Sequence, residues 1–434
     1  MYEHFSARVN DKNINYSKLV INEKEQKILR NLALRVAELS AKPEQNRKKS
    51  LWLSHNALRR TKPLIVCDPE NGWNEIIIEE KLECENEIPR YWEVLLRKEI
   101  FWGEKMGDDK VIEPYFDIPY IYSESDWGLH ESRIGGDITV YRSDGGSYSW
   151  VSPITDYSEL SQIKSPVINV DYVLTNRVID FANQIFGDIL EVRITMKHWW
   201  WSVGLTDELA FLRGLENIMY DVYDRPEDLH KLMSLLRDGT ISKLNYLQEN
   251  ELLSLNSDGS YVGSGGFGWS NELPQKDFDG KVRLIDLWGM SESQVTVGLS
   301  PSMFKEFIFP YQLPILELFG LNCYGCCEPL NARWEIIKEI PRLRRVSVSA
   351  WADIEDMAEK LQDKYILSIK PHPAVLAKKN INEDKIRKEI RNILQLTRKC
   401  RVEIIMKDNH TICHNPMNVI RWTQIAQEEA NYLE

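Results

Sequence analysis

Three of the seven cysteines lie within one short stretch of this sequence. Cys323, Cys326 and Cys327 follow a short apolar run and precede a helical pattern that begins at Asn331. This order predicts that the thiols lie where a strand ends and a loop begins. Thiols crowded at such a position are typical of a metal site or a redox pair. Packing as small buried apolar groups is the alternative interpretation.

Polar and aromatic side chains also occur at the ends of other predicted strands. In a parallel (β/α)8 barrel these ends share one face, where active sites are built. We therefore expect one site at the carboxyl ends of the strands. The residues at these positions are Asp68, Glu70, His198, Trp199, Trp200, Asp286, Trp288, His372 and His410.

The soft and imidazole side chains of this set predict a zinc site. Zinc prefers thiolate, imidazole and carboxylate ligands, and a catalytic zinc keeps one position for substrate. Cys326 and His410 come from separate predicted strands and are the first ligand candidates, with Cys323 and Cys327 as further thiolates. The spacing C-x-x-C of Cys323 and Cys326 also suits redox chemistry.

Two further residues are candidates for catalysis. Asp286, placed near the end of a strand predicted over 282–288, is a candidate base or substrate contact, and capping of the next loop is its alternative. His198 is followed by three tryptophans, so it is either a catalytic group or part of a pocket wall.

The remaining residues are candidates for substrate binding. Asp68 and Glu70 either contact substrate or accept hydrogen bonds from loop amides. His372 lies between two prolines, which favours a rigid turn as strongly as a site role. Trp199, Trp200 and Trp288 would line an aromatic cavity or fill core.

Repeated strand-then-helix units predict the α/β fold class with a parallel sheet. There are enough units for a closed (β/α)8 TIM-type barrel, and an open doubly wound sheet is the alternative. We predict an N-terminal helical extension over residues 1–60 and a barrel over 61–434. Residues 108–150 have β-rich pieces, glycine pairs and no helical period, so they are expected to form a β-rich insertion.

The composition excludes several classes of function. A net charge of −12 argues against a nucleic-acid surface and against docking on anionic lipid. The sequence has no apolar run of about 18 residues, so no membrane span is expected. No apolar signal-peptide core occurs near the N-terminus, and seven unevenly spaced cysteines fit a reducing, cytoplasmic location. No glycine-rich phosphate motif follows a predicted strand, so nucleotide binding has no support.

Several segments resemble the uroporphyrinogen decarboxylase superfamily. They cover residues 211–230, residues 286–290 followed by 299–311, and the C-terminal stretch 408–419. Their order and spacing carry the resemblance, which extends from about residue 62 to the C-terminus. It implies a distorted (β/α)8 barrel with its site at the carboxyl ends of the strands.

The decarboxylase branch of that superfamily binds a polycarboxylate porphyrinogen with arginines near the first strand. Here the corresponding loop contains Asp68 and Glu70 and lacks those arginines. An acidic loop would repel a substrate that carries many carboxylates. The sequence therefore argues against porphyrinogen decarboxylation.

The other branch comprises the cobamide-dependent methyltransferases, which hold zinc with a His-x-Cys on one strand and a cysteine on the last. Cys326 matches this pattern, whereas Tyr324 stands in place of the histidine and His410 in place of the last cysteine. Cys323, Cys327 or Glu328 would supply the missing ligand. Tyr324 joins Asp286 and His198 as a catalytic candidate.

The resemblance implies a zinc-dependent methyltransferase that moves a methyl group between a small molecule and a corrinoid. Residues 408–413 resemble part of a corrinoid-binding motif but lack its glycines, so methylcobamide is expected on a separate partner protein. Two alternatives stay open. One is a metal-free decarboxylase or lyase acting on another small acid, and the other is a barrel that only binds a ligand. A homodimer is also open.

Overall fold

The computed structural model describes residues 14–129, 132–135, 148–196 and 203–432. The helices are α1 Glu23–Ser40, α2 Pro43–Asn56, α3 Trp73–Ile76, α4 Glu87–Phe101, α5 Tyr172–Phe186, α6 Thr206–Arg213, α7 Leu215–Asp224, α8 Pro226–Glu249, α9 Pro301–Phe307, α10 Phe309–Leu316, α11 Trp334–Ile337, α12 Ile354–Leu361, α13 Glu383–Leu396 and α14 Met417–Tyr432. The strands are β1 Leu64–Cys67, β2 Tyr115–Pro119, β3 Tyr122–Glu124, β4 Ser132–Gly135, β5 Tyr148–Val151, β6 Ile168–Val170, β7 Glu191–Thr195, β8 Tyr261–Val262, β9 Gly266–Phe267, β10 Trp288–Ser291, β11 Leu321–Tyr324, β12 Leu343–Val348, β13 Ile366–Ile369 and β14 Arg401–Met406.

The chain divides into two compact units, and each is built from separate stretches of sequence. Unit 1 takes the described residues up to Ile121, Val170–Met196, and those from Ile369 onward. Unit 2 takes the described residues of Tyr122–Asn169 and Lys197–Ser368.

The first helix of unit 1, α1, begins at a capping box formed by Asn22 and Glu25. Asn22 accepts a hydrogen bond from the Glu25 amide (2.9 Å), and Glu25 accepts one from the Asn22 amide (3.0 Å), which forms a capping box. Leu29, Val36 and Leu39 are buried on one face of α1. This apolar face packs on α4, so burial of the face stabilises the helix.

The strands of unit 1 pair in parallel. β1 lies beside β14 with Cys67 opposite Met406, and β2 lies beside β7. All four residues of β1 are buried, as expected for a strand of a parallel sheet that is covered on both faces. The carboxyl ends of β1 and β14 therefore meet at the same edge.

The strands of unit 2 include the parallel series β10, β11, β12 and β13, which are neighbours in that order. Trp288 of β10 lies opposite Leu321 of β11, and Ser291 opposite Tyr324. This register brings the loops that follow β10 and β11 together at one edge. Short antiparallel pairs, β4 with β5 and β8 with β9, complete the pairings with a given register.

The predicted α/β class is confirmed, because parallel strands alternate with helices. The closed eight-stranded barrel is not confirmed. In the described part of the chain the largest sheet has six strands, and β2 and β7 form a two-stranded sheet of their own. A barrel requires every strand to be bonded to two neighbours. Among the described residues, no helix is long and apolar enough to cross a membrane.

The predicted N-terminal extension and β-rich insertion correspond to identifiable elements. α1 and α2 lie within residues 1–60, and both belong to unit 1. Strands β2 to β4 lie within residues 108–150, and β5 begins there. Residues 130–131 and 136–147 of that insertion lie outside the described residues. The division at residue 60 stays a prediction.

One buried side chain anchors β10 and provides a test of unit 2. Asn256 donates to the carbonyl of Trp288 and accepts from its amide, each at 3.0 Å, and Asn256 is 1% exposed. Replacing Asn256 by alanine leaves two buried backbone groups without partners, which should lower the free energy of unfolding by about 2–4 kcal/mol.

Urea denaturation followed by circular dichroism measures this loss. Asn250→Ala is the matched control, because Asn250 is exposed at the end of α8. Equal stabilities of the two variants would contradict the anchoring role of Asn256.

Candidate functional site

Cys326 lies in unit 2, in the loop that follows β11. The turn before it requires glycine, since Gly325 has φ +94° and an added Cβ would lie 2.6 Å from Leu330 Cδ1. Cys326 is buried, with its Sγ 3.4 Å from Ser264 Oγ and 3.6 Å from Cys327 Sγ. The predicted location at a strand end is therefore correct for this thiol.

Glu328 is the nearest acidic residue along the chain and folds back on the same loop. Its carboxylate accepts hydrogen bonds from the amides of Cys326 (2.9 Å) and Ser293 (2.8 Å). Arg333 lies close by but donates to Ser293 Oγ (2.7 Å) and to backbone carbonyls. Burial raises the pKa of Glu328, although these hydrogen bonds oppose the shift.

Glu292 is the first residue after β10 and is 4% exposed. It accepts hydrogen bonds from Thr206 Oγ1 and from the Gln294 amide, both at 2.6 Å. Gly204 leaves the room for this carboxylate, because a Cβ there would lie 2.8 Å from Glu292 Oε1. Burial raises the pKa of Glu292 well above its usual range, and neighbouring Asp207 and Glu328 raise it further.

Asp207 lies in the first turn of α6 and completes what we call the carboxyl cluster, namely Asp207, Glu292 and Glu328. Asp207 is partly exposed at its surface. Its surroundings nevertheless raise the pKa of Asp207 to about 8, first by burial of the carboxyl and then by repulsion from Glu208, Cys326 and Glu328. The cluster therefore keeps a proton at neutral pH, because adjacent carboxylates without a cation do not all ionise.

Tyr324 does not point to an open position. The Tyr324 hydroxyl donates to Gln312 Oε1 (2.9 Å), and Gln312 Nε2 donates to the carbonyls of Gly204 and Glu292 at 2.7 Å each. Burial raises the pKa of Tyr324 well above its usual range. The phenol therefore supports the backbone that carries Glu292.

Cys323 and Trp288 lie in the core of unit 2. Cys323 lies inside β11 and is 1% exposed, and Arg345 Nη1 lies 3.8 Å from its Sγ. Trp288 is fully buried, its indole nitrogen donates to the Gly268 carbonyl (2.9 Å), and Arg345 lies over its ring. The structure gives both residues packing contacts.

Asp286 was predicted near the carboxyl end of a strand, but it lies just before the amino end of β10. The strand begins at Trp288, so Asp286 precedes it in a short 3-10 turn and is fully buried. It accepts hydrogen bonds from Arg283 and from the Gln275 amide (2.9 Å). Burial opposes ionisation, but these bonds lower the pKa of Asp286 overall. The expected strand 282–288 was wrong because its apolar residues belong to the turn.

Four of the predicted site residues belong to unit 1. Asp68 and Glu70 follow β1 and His410 follows β14, as expected from the sequence. His372 follows β13 and is exposed, and its Nδ1 accepts a hydrogen bond from the Ala374 amide (3.2 Å). His410 is exposed as well.

Three predicted residues cannot be placed, and the predicted zinc ligands do not form a group in the described part of the chain. His198, Trp199 and Trp200 lie outside the described residues. Within the described ranges, no group of three or more histidine, cysteine, aspartate or glutamate side chains is arranged to hold a metal ion. Cys326 belongs to unit 2 and His410 to unit 1, so the pairing of these two residues stays a prediction.

The sequence reasoning did not single out Asp207 or Glu292. Asp207 lies at the start of a helix and carries no motif, and Glu292 was missed because β10 was placed too early. Glu328 lies in the cysteine stretch and was named only as one of several ligands. A polar residue directly after a correctly placed strand would have been the signal for Glu292.

Comparisons with known proteins add one structural likeness. No protein-family model matches the sequence, and no curated protein matches it significantly. Among solved structures, a methyltransferase from Methanosarcina mazei is similar over 88% of this chain and 98% of that chain, with 12% identity and a TM-score of 0.48. With so low an identity and TM-score, the likeness indicates nothing about the activity of this chain.

The protonated state of Asp207 gives a prediction for stability against pH. The pKa of Asp207 is raised from 3.8 to about 8, so the group stabilises the fold fully below pH 3.8 and this contribution is lost as pH rises to about 8. Asp207→Asn cannot ionise. It should gain stability relative to the wild type by about 1.4 kcal/mol for each pH unit between about 4 and 8, so its advantage is much larger at about pH 8.5 than at about pH 5.

Urea denaturation at a series of pH values measures this difference. Glu227→Gln, an exposed acid at the start of α8, serves as the control and should follow the wild type. A parallel pH dependence of Asp207→Asn and the wild type would show that Asp207 titrates normally.

Proposed function

We propose that this chain is a methyltransferase that moves a methyl group between a small molecule and a corrinoid carried by a separate protein. The reacting centre would lie in unit 2, beside Cys326. One observation carries the proposal: the thiol of Cys326 and three carboxyl groups converge at the carboxyl ends of β10 and β11. There burial raises the pKa of Asp207 to about 8 and raises the pKa values of Glu292 and Glu328 as well.

The chemistry of methyl removal calls for such a proton. When a methyl group leaves an oxygen, nitrogen or sulfur atom, the carbon–heteroatom bond breaks and its electron pair stays on the heteroatom. A reduced corrinoid on the partner protein would supply the electron pair for the new bond to the methyl carbon. A proton from Asp207 would then neutralise the leaving heteroatom, and general acid catalysis of this kind contributes about 10²–10⁴-fold in rate.

The geometry supports Asp207 as the donor within the cluster. Glu292 and Glu328 each accept two or more hydrogen bonds from protein groups, which fixes their carboxylates in place. Asp207 is the member that is partly exposed, so it can reach both a bound molecule and solvent for reprotonation. A pKa of about 8 matches the operating pH of a general acid.

Zinc is part of the proposal through the resemblance to the cobamide-dependent branch. The sulfurs of Cys326 and Cys327 are 3.6 Å apart. This is near the ~3.8 Å that separates two thiolates on one tetrahedral zinc with Zn–S bonds of about 2.3 Å. The described residues around this pair do not complete a zinc site. We therefore assign no step of the reaction to the metal.

The corrinoid partner rests on the same resemblance. Residues 408–413 have part of a corrinoid-binding motif without its glycines, so a resident corrinoid is not expected. A metal-free lyase is the second candidate, because a protonated carboxyl can also deliver a proton to a carbanion. The two differ in one respect: only the methyltransferase requires a corrinoid.

Methyl transfer to free cob(I)alamin tests the proposal by its change in visible absorption. The assay uses a panel of methyl ethers, methylamines and methyl thioethers. Activity should fall as pH rises above about 8, and Asp207→Asn and Cys326→Ala should each lose about 10²-fold or more. Glu227→Gln, an exposed acid at the start of α8, and Cys400→Ser, a thiol of unit 1, serve as controls and should keep full activity.

Two results would overturn this assignment. One is full activity of both Asp207→Asn and Cys326→Ala. The other is decarboxylation of small acids without corrinoid, at a rate that depends on Asp207, which would favour the lyase.

Metal analysis by inductively coupled plasma mass spectrometry tests the zinc component. Protein purified without chelator should contain about one zinc per chain, because a catalytic zinc is held by three protein ligands. Cys326→Ala should lose most of it, whereas Cys400→Ser should retain it. His410→Ala tests the predicted ligand of unit 1. Absence of zinc from active wild-type protein would remove the metal from the proposal and leave the role of Asp207 standing.

A further inference from the structure

Unit 1 contains its own set of buried polar groups, at the carboxyl ends of β1 and β14. The two strands are parallel and in register, and the Asp68 amide donates to the Met406 carbonyl (2.9 Å) just beyond them. Two loops therefore start side by side. We call residues 68–76 and 407–414 the paired loops.

One carboxylate locks the paired loops together. Glu75 accepts hydrogen bonds from Thr411 Oγ1 (2.6 Å), from the Ile412 amide (2.9 Å) and from the His414 amide (2.7 Å). Gly72 lies so near the second loop that a Cβ there would be 2.9 Å from Ile412 Cγ2. The paired loops consequently form one rigid surface.

The backbone of the paired loops is strained at four residues that are not glycine. Glu70, Asp408, Cys413 and His414 have φ values of +48°, +59°, +57° and +50°. A side chain in this region is unfavourable because its Cβ crowds the backbone. Such conformations persist where surrounding contacts enforce them, and they cluster at ligand sites.

Three buried polar atoms in the paired loops have no hydrogen-bond partner. They are Glu70 Oε1, Asn409 Oδ1 and Asn74 Nδ2. Asn409 is 2% exposed, and its amide nitrogen donates to the Pro373 carbonyl (3.1 Å), which holds the side chain while its oxygen stays unpaired. Buried polar groups in folded proteins nearly always have partners, so these atoms await a ligand.

The charges of the paired loops favour a cationic ligand. Asp68, Glu70 and Asp408 are acidic, whereas Lys407 is the basic residue among them. Lys407 Nζ lies 3.7 Å from Glu70 Oε1 and 3.2 Å from Asp408 Oδ1. Burial raises the pKa of Glu70 well above its usual range, so an added cation would favour ionised Glu70.

We propose that the paired loops bind a small protonated amine, whose N–H groups donate to Glu70 Oε1 and Asn409 Oδ1 and whose hydroxyl or carbonyl oxygen accepts from Asn74 Nδ2. A metal ion suits this site less well. The described residues contain no group of three or more acidic, histidine or cysteine side chains arranged for a metal.

Isothermal titration calorimetry of the full chain with ethanolamine tests this site. Ethanolamine has a protonated primary amine and a hydroxyl group. Choline is the matched control ligand, since it keeps the charge and the hydroxyl group but has no N–H. At pH 7.5 and constant ionic strength, ethanolamine should bind and choline should bind at least tenfold more weakly.

Variants assign the binding to the paired loops. Glu70→Gln and Asn409→Ala should each weaken ethanolamine binding at least tenfold. Glu80→Gln, an exposed acid just beyond the first loop, should bind as the wild type does. Binding by the wild type should also release protons as Glu70 ionises, which is seen as a dependence of the heat on the buffer.

The proposal is overturned if the wild type does not bind ethanolamine, or if it binds choline equally well. Unchanged binding by a folded Glu70→Gln or Asn409→Ala variant would also overturn it. If either variant fails to fold, the choline comparison and the proton release decide the question on wild-type protein.

Discussion

Burial of carboxyl groups without a matching cation is the constraint on which the site of unit 2 depends. Glu292 and Glu328 are nearly inaccessible, and their oxygens are satisfied by hydroxyl and amide donors. The nearby guanidinium of Arg333 donates to a serine and to carbonyls instead. Because hydrogen bonds offset burial only in part, the pKa values of these carboxyls stay raised.

The surroundings of the carboxyl cluster follow from this constraint. Gly204 leaves space for Glu292, and Gln312 holds the two backbone segments on either side of that glutamate. Tyr324 in turn orients Gln312. Through these two hydrogen bonds Tyr324 supports the backbone of the acid site.

Unit 1 also buries acidic side chains at strand ends, but their hydrogen bonding differs from that in unit 2. Its paired loops also collect acids at the ends of two parallel strands, and Glu75 uses its carboxylate to join the loops. Glu70 and Asn409 each keep an acceptor oxygen without a hydrogen bond. Saturated carboxyls that hold protons suit proton transfer, whereas unsaturated acceptors suit ligand binding.

The outcome of the sequence reasoning depended on where each strand was placed. β1 and β14 were placed well, so Asp68, Glu70 and His410 were correctly expected just after them. For β10 the error reversed the ends of the strand. Asp286 was taken for a site residue, and Glu292 was overlooked. A short apolar run predicts that a strand exists more reliably than it predicts where the strand begins and ends.

The sequence by itself determined the α/β class, the capping of α1 and the loop position of Cys326, because these depend on residues close together in the chain. Only the tertiary structure decided which acids have raised pKa values. Asp207, Glu292 and Glu328 are far apart in sequence and look like ordinary surface acids there. Their pKa values depend on burial and on one another, and both arise only when the loops after β10 and β11 meet α6.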